Sequence, residues 1–406
     1  MGIIKKIKKA IIGRLKLIYK HYRYKIYYPR LYTKYCEEPV IENKVLFLEM
    51  RFTELSNSMQ HLYDVMEESG QYELACAYIQ FNFTRGKEFT ESVKKMLKEL
   101  ATSKCVILDE ASMILSAIPL REETTAINLW HACGAFKKFG RSTAELKFGS
   151  SAATLDKYPN YGNLDHVTVS SPEVIWAYEE AMHLPEGIVK ATGISRTDLF
   201  YDEEFVNSRH EKLYEVMPEA RGKKVILYAP TFRGHVSSAT SPDEIDFYRF
   251  AKELSEDYVL VCKHHPFVKN PPEIPEELSD FARDLTPYLS IEDLLCCADI
   301  CISDYSSLVF EYSLFEKPMI FYAYDYDDYC DWRGFYYDYF ELTPGPVVKT
   351  QDELLDAIRN TETIFDKQQV IDFKKKFMGS CDGHATDRIV EYVLRLHDWQ
   401  RKSGRK

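Results

Sequence analysis

Short apolar runs recur along this chain, each closed by polar or turn-forming residues and separated by stretches with helical periodicity. VLFLEM at 45–50, ACAYIQF at 75–81, KCVILDE at 104–110 and AINLW at 126–130 read as buried strands, and DHVTVSS and IVKATGI supply two more. TRGKEFTESVKKMLKEL carries a helical pattern between them. After the charged stretch YDEEFVNSRHEKLYEVMPEARGKK the alternation restarts with VILYAPTFRG, YVLVCKHHP, LLCCADICISDYSS and KPMIFYAYD, and a last helical stretch covers ATDRIVEYVLRLHDWQ. Strands that alternate with helices and end in polar residues predict parallel sheets that present side chains to a crevice at their carboxyl ends. Two α/β domains facing a cleft are expected, with the boundary near 201–220. The division is a segment 1–36, a first domain 37–205 and a second domain 206–406.

The first 36 residues follow a different pattern. Ile3, Ile4, Ile7, Ile11, Leu15, Ile18 and Tyr22 recur mostly every fourth residue, while Lys5, Lys6, Lys8, Lys9, Arg14, Lys16 and Lys20 largely occupy the other positions. This is an amphipathic basic helix. It has neither the roughly 20 continuous apolar residues of a bilayer span nor the cleavage pattern of a secretory signal. Such a helix can bury Ile4, Ile7, Ile11, Leu15 and Ile18 at the headgroup boundary and set Lys5 and Lys8 beside anionic lipid. A peripheral, monotopic place on the cytoplasmic face of a cell membrane is the expectation; the alternatives are packing on the chain's own acidic body or on a partner subunit. The tyrosines at 19, 22, 24, 27, 28, 32 and 35 could anchor the segment at an interface or bury against the protein.

Charge sharpens this picture. The 406 residues carry a net −11, yet eleven Lys and Arg and no Asp or Glu fall within residues 1–36, which leaves −22 for the rest. An extended nucleic-acid binder is disfavoured, because no second basic block exists. With 45% hydrophobic and 28% charged residues the chain has material for large cores. The ten cysteines are dispersed, with Cys296 and Cys297 adjacent, and read as reduced core residues, not as a disulfide or metal framework.

Several polar residues stand where strands end. His131 follows AINLW and precedes a turn, so its imidazole could act as a general base for a hydroxyl nucleophile; a structural histidine is the competing reading. In KHHP, Lys263, His264 and His265 could meet a phosphate, although adjacent strand residues point to opposite sides. The strand-like ICIS runs into Asp304, Ser306 and Ser307 and then a helix, whose first N–H groups and a serine hydroxyl can hold phosphate or simply cap the helix. Glu311 could accept a sugar or ribose hydroxyl. Thr231 and Arg233 of YAPTFRG, and Arg333 with Gly334 of DWRGFYYDYF, are further anion candidates. No dedicated metal site follows from these motifs, though a divalent cation could help neutralise a pyrophosphate.

Taken in order, VILYAPTFRG, KHHP, SDYSSLVFEYSLFEKPMIFYAYD, YCDWRGFYYDY and PGP resemble the CDP-glycerol glycerophosphotransferase family, the teichoic acid primases and polymerases of Gram-positive envelopes. ILDEASMILSAI and LWHACGAFKKFG look like its acceptor-side region, and TGISRTD like its Gly-x-x-Arg-x-Asp signature, which brings in Arg196. The resemblance implies a GT-B-like arrangement of two Rossmann-like domains, with the nucleotide mainly on the second. His131 matches the proposed catalytic base. His265 matches a donor pyrophosphate contact, which makes His264 less favoured; Ser306 and Ser307 match the donor phosphate serines, and Arg333 the arginine of the later Arg-Gly motif. Two departures stand out: Trp-His-Gly-Thr-Pro is here Trp-His-Ala-Cys-Gly, and the usual Asp after Tyr-Ser-Ser-x-x-Phe is Glu311.

The function expected is transfer of a polyol phosphate, glycerol phosphate most simply or ribitol phosphate, from CDP-glycerol or CDP-ribitol. The acceptor would be a hydroxyl of a lipid-linked saccharide or polyol phosphate, with no resident cofactor. A GT-B glycosyltransferase using a nucleotide-sugar and a non-catalytic membrane-associated envelope scaffold are the alternatives.

Overall fold

The computed structural model describes residues 2–81, 86–147, 149–235 and 238–403, and side-chain surroundings for these except at 2–7, 9, 10, 331, 333 and 396–403. The expected positions Ile4, Lys5, Ile7 and Arg333 therefore fall outside the described side chains.

Two six-stranded sheets, parallel at every pairing, organise the chain. The first contains β1 (Ile41–Glu49), β2 (Glu73–Tyr78), β3 (Ser103–Leu108), β4 (Thr125–Asn128), β5 (His166–Thr168) and β6 (Val189–Lys190), in the order β2-β1-β3-β4-β5-β6. The second contains β7 (Lys224–Tyr228), β8 (Tyr258–Cys262), β9 (Ala282–Asp284), β10 (Ile300–Ser303), β11 (Met319–Tyr322) and β12 (Val347–Val348), in the order β12-β11-β10-β7-β8-β9. Val45–Leu48 and Val225–Tyr228 are buried without alternation, as strands covered on both faces must be. The edge strands β9 and β12 have too few residues to show a period, and their pairing comes from the neighbouring strand.

In each sheet the strand order reverses once, between β1 and β3 and between β7 and β10, and such reversals open a crevice beyond the carboxyl ends. Met50–Arg51 and Asp109–Glu110 leave the first crevice; Ala229–Thr231 and Asp304–Ser307 leave the second.

The ends of the chain depart from the division expected above. Residues 23–36 form a π-helical turn (Arg23–Tyr27) and a helix (Tyr28–Tyr35) whose Tyr28 and Tyr32 are fully buried in the same cluster as Leu46 and Leu97. This stretch is part of the first domain. The helix Gly2–Tyr22 instead leaves Ile11, Leu15 and Ile18 about 55–63% exposed, with Lys8 also exposed. At the other end, Ser170 and Ser171 donate to the carbonyls of Phe377 and Lys376 at 2.7 and 2.5 Å. The helix Ala385–Ser403 then packs Ile389 and Val393 on Val45, Phe47, Cys105 and Ile107 of the first sheet. An amphipathic helix can cover either sheet equally well, and its period does not reveal which. All ten cysteines are free thiols.

Candidate functional site

A cavity of about 790 Å³ lies between the domains, lined by both crevices. That is room for a small-molecule substrate. His131 enters it from the loop after β4. Asn128 accepts the Trp130 N–H on its Oδ1 at 2.8 Å, and Trp130 takes a left-handed φ of +53°. A bulky residue rarely adopts that conformation outside functional sites. The Trp130 ring is then wedged among Phe139, Tyr161 and Tyr178, which holds the next residue in place.

His131 Nδ1 lies 2.9 Å from the Asp109 carbonyl and 3.2 Å from Glu110 Oε1. Both neighbours are acceptors, so Nδ1 carries the proton and Nε2 keeps the lone pair. Burial first, then the charges of Arg51 and Arg196, push the imidazole down to about 3, so it is neutral near pH 7 and open to accept a proton.

On the opposite wall the cavity is lined by Thr231, His265, Ser306 and Ser307. His265 Nδ1 accepts the Phe267 N–H at 3.2 Å, which leaves its ring proton on Nε2 in the neutral form. Ser306 Oγ accepts only a long 3.4 Å bond from Leu308 N, and Ser307 makes no capping bond, so capping does not consume these hydroxyls. Thr231 Oγ1 is buried without a partner.

Four other expected contacts have partners within the protein, although Lys263 and His264 also line the cavity. His264 is buried, with Nδ1 2.7 Å from Ser241 Oγ and its N–H on Thr286. The Lys263 ammonium donates to the carbonyls of Thr286 and Leu289 at 3.1 and 2.5 Å. Arg233 is held by Asp325 and Asp304 at 2.6 and 2.9 Å and lies about 5 Å from the Tyr305 and Tyr329 rings. Asp304 also accepts the N–H groups of Thr231 and Tyr305. Arg233 and Asp304 thus tie the loops after β7, β10 and β11 together; they shape the site and are not placed to hold phosphate. A charged pair looks the same in sequence whether it meets a ligand or itself. Among the described residues no group of three His, Cys, Asp or Glu side chains converges as a metal-ligand set.

Comparison with known proteins places this geometry. The family model described as CDP-Glycerol:Poly(glycerophosphate) glycerophosphotransferase matches residues 30–395. The chain belongs to this family. It is 37% identical to the teichoic acid poly(ribitol-phosphate) polymerase of Bacillus spizizenii over 361 residues, covering 88% of this chain and 57% of that protein. It is 33% identical to the teichoic acid ribitol-phosphate primase of the same organism, covering 87% of this chain and 92% of the primase. The structure of the wall teichoic acid polymerase TagF superposes with a TM-score of 0.74 at 20% identity, over 98% of this chain and all of that one, which supports the GT-B-like fold.

The signature Gly193-x-x-Arg196-x-Asp198 of this chain is a fastening. Gly193 has φ +87°, and a Cβ there would lie 2.2 Å from the Ser380 carbonyl oxygen. Asp198 caps the returning C-terminal helix through the N–H groups of Ala385 and Thr386 at 3.1 and 2.7 Å. Arg196, 5% exposed, reaches Glu311 at 2.7 Å, Ser58 Oγ at 2.7 Å and the His131 carbonyl at 3.0 Å. Arg196 and Glu311 therefore bind each other while lining the cavity. In the altered Trp-His-Ala-Cys-Gly, Gly134 has φ +62° and a Cβ there would lie 2.4 Å from the Phe310 ring, so the loop lies flat on the second domain. The Arg-Gly segment bridges the domains as well, with the Gly334 carbonyl accepting from Lys138 and the Phe136 carbonyl from Tyr336, both at 3.1 Å.

Arg51, Asp109 and Glu110, which are not among the candidates named from the sequence, also line the first crevice. Their signal was position, directly after two of the most apolar strands, but the strand order that makes those ends a crevice is not written in either run.

Proposed function

We propose that the protein transfers a polyol phosphate from a CDP-activated donor to a hydroxyl of a lipid-linked acceptor in teichoic acid or related wall-polymer synthesis. The acceptor oxygen attacks the polyol-linked phosphorus, and His131 Nε2 takes its proton. The bond from that phosphorus to the bridging oxygen breaks, and CMP leaves with the electron pair. His265, Ser306 and Ser307 stabilise the charge on the pyrophosphate, and Arg333 remains a proposed contact. The observation that carries the reading is the His131 imidazole, neutral and held through Nδ1, sharing one cavity with the His265 and serine wall.

The two relatives named above act with ribitol phosphate, and a glycerol-phosphate primase of Bacillus subtilis is 30% identical over 296 residues. CDP-ribitol and CDP-glycerol are accordingly the donors. The exposed Ile11, Leu15, Leu17 and Ile18 of the basic N-terminal helix support peripheral attachment to an anionic, cytoplasmic membrane face. Among the described residues no helix is long and apolar enough to cross a membrane.

Product analysis tests the reading. With lipid-linked acceptor in vesicles, CDP-ribitol or CDP-glycerol should release CMP and add a polyol phosphate mass to the acceptor. Release of UDP or GDP from a nucleotide-sugar would establish a glycosyltransferase, and no turnover with any donor would leave a scaffold.

A further inference from the structure

Glu110 and His131 leave adjacent strands of the first sheet, Glu110 just past β3 and His131 just past β4. One side chain sets their spacing. Asn128, fully buried, donates its Nδ2 to the Glu110 carbonyl at 3.0 Å and accepts the Trp130 N–H on Oδ1 at 2.8 Å, so both turns are pinned to the same amide. Glu110 is 8% exposed, and its Oε1 lies 3.2 Å from His131 Nδ1. The Arg51 guanidinium pairs with that same oxygen, a cation that favours the ionised carboxylate. The turn carrying Arg51 is fixed in turn by Glu49, which accepts the N–H groups of Arg51, Phe52 and Ser56 at 2.7, 3.1 and 3.1 Å. The Asp109 carbonyl also stands 2.9 Å from Nδ1 and would hold the tautomer alone. What Glu110 adds is a negative charge.

We infer that Glu110 is the positioning residue of His131: its carboxylate holds the imidazole through Nδ1 and balances the positive charge that forms as the acceptor hydroxyl gives up its proton. The inference rests on the transfer reaction proposed above. When Nε2 takes the acceptor proton, Nδ1 keeps its own, and the ring becomes an imidazolium. Burial first, then the charges of Arg51 and Arg196, oppose that cation, so a carboxylate against Nδ1 is where a counter-charge has most effect. No proton passes to Glu110; it acts as the buried carboxylate does beside a histidine base in hydrolases, by orientation and charge. The glutamate also acts a second way, because it neutralises Arg51, one of the cations that depress the ring. Arg196 is matched likewise by Glu311. Each of the two arginines near the base thus has its own carboxylate, and only that of Arg51 also touches the imidazole.

The experiment measures CMP release from a CDP-polyol and lipid-linked acceptor by the full chain. Glu110→Gln keeps an acceptor for the Nδ1 proton and removes the charge. Its kcat should fall by about 10- to 100-fold, the range of a hydrogen bond to a charged group, with the KM for the CDP-polyol unchanged. Glu110→Asp, which keeps a carboxylate, should recover part of the loss. In a His131→Gln background Glu110→Gln should cost nothing further, because it acts only through the imidazole; an equal fall there would mark a structural role and overturn the inference. Undiminished kcat in a folded Glu110→Gln protein does the same. Nitrogen NMR of histidine-labelled wild-type protein supplies a readout independent of how the Glu110 variants fold. The His131 ring, assigned by its disappearance in His131→Gln, should carry its proton on Nδ1 near pH 7, and a proton on Nε2 overturns the inference. Normal turnover by His131→Gln overturns the base itself, and no CMP release by the wild-type protein overturns the transfer reaction; this inference falls with either.

Discussion

Arg196 Nη2 and Glu311 Oε1 meet at 2.7 Å in the wall of the cavity between the domains, joining the turn after β6 in one domain to the helix after β10 in the other. Burial disfavours both charges. For the guanidinium burial is the largest single effect, but Glu311, Cys133 and Glu292 together outweigh it and its pKa rises, whereas burial still pushes the Glu311 carboxyl up. Removing one partner strands the other, at a cost of about 3–5 kcal/mol. Arg196→Met or Glu311→Leu alone should therefore destabilise strongly, and the double variant should recover much of the loss. Urea unfolding of the four proteins measures the cycle. Because Arg196 also holds the His131 carbonyl, the double variant should stay less active even where its stability returns.

Asp109 makes stability depend on pH in a defined direction. Burial first, with the charge of Glu49, raises its carboxyl to about 6, against the Ser56 hydroxyl and the Arg51 and Arg196 charges. Its ordinary value is about 3.9, so between about pH 4 and pH 6 the unfolded chain loses the proton first and folding weakens as pH rises, by about 3 kcal/mol in total. Asp109→Asn carries no charge to desolvate. Its stability relative to wild type should be more favourable near pH 7.5 than near pH 4.5; a difference that does not change with pH would contradict the assignment.

The second-domain loops separate binding from architecture. Ser306→Ala with Ser307→Ala should raise the KM for the CDP-polyol by about tenfold or more while leaving the melting temperature nearly unchanged, since neither hydroxyl has a strong internal partner. Arg233→Gln should do the reverse, because it leaves Asp304 and Asp325 without their cation. A loss of about 3 kcal/mol is expected there. Donor titrations paired with thermal melts distinguish the two behaviours.

The proposed membrane attachment rests on the helix Gly2–Tyr22 and not on the buried Tyr28 and Tyr32. Deleting residues 1–20 should abolish most binding to anionic vesicles and leave the catalytic body folded, since Tyr28 and Tyr32 stay buried in the first domain. Undiminished vesicle binding would remove that role from the helix.

Most of the frame was legible in the chain. VLFLEM, YVLVC and ICIS are apolar except at Glu49 and Ser303 because their strands are covered on both faces, and that burial also distinguishes them from surface elements. His131 and Ser306 were legible for a related reason: polar residues at the ends of such runs lie at the mouths of strands. What the chain could not show was which charges satisfy one another. Arg233 and Asp325 are 92 positions apart and Arg196 and Glu311 are 115 apart, so Arg233, Arg196 and Glu311 read as ligand contacts in the sequence and only the fold shows their partners. The returning helix Ala385–Ser403 was misplaced for the same reason. Arg51 and Asp109 come to line one crevice only through the order of the strands.

In the proposed reaction His131 takes the proton of the attacking hydroxyl. The direct test is the turnover of His131→Gln at saturating CDP-polyol and lipid-linked acceptor, with CDP-polyol binding measured on the same protein. A fall in kcat of about 10²–10⁴-fold with donor affinity retained is expected. Normal turnover by the folded variant would contradict it.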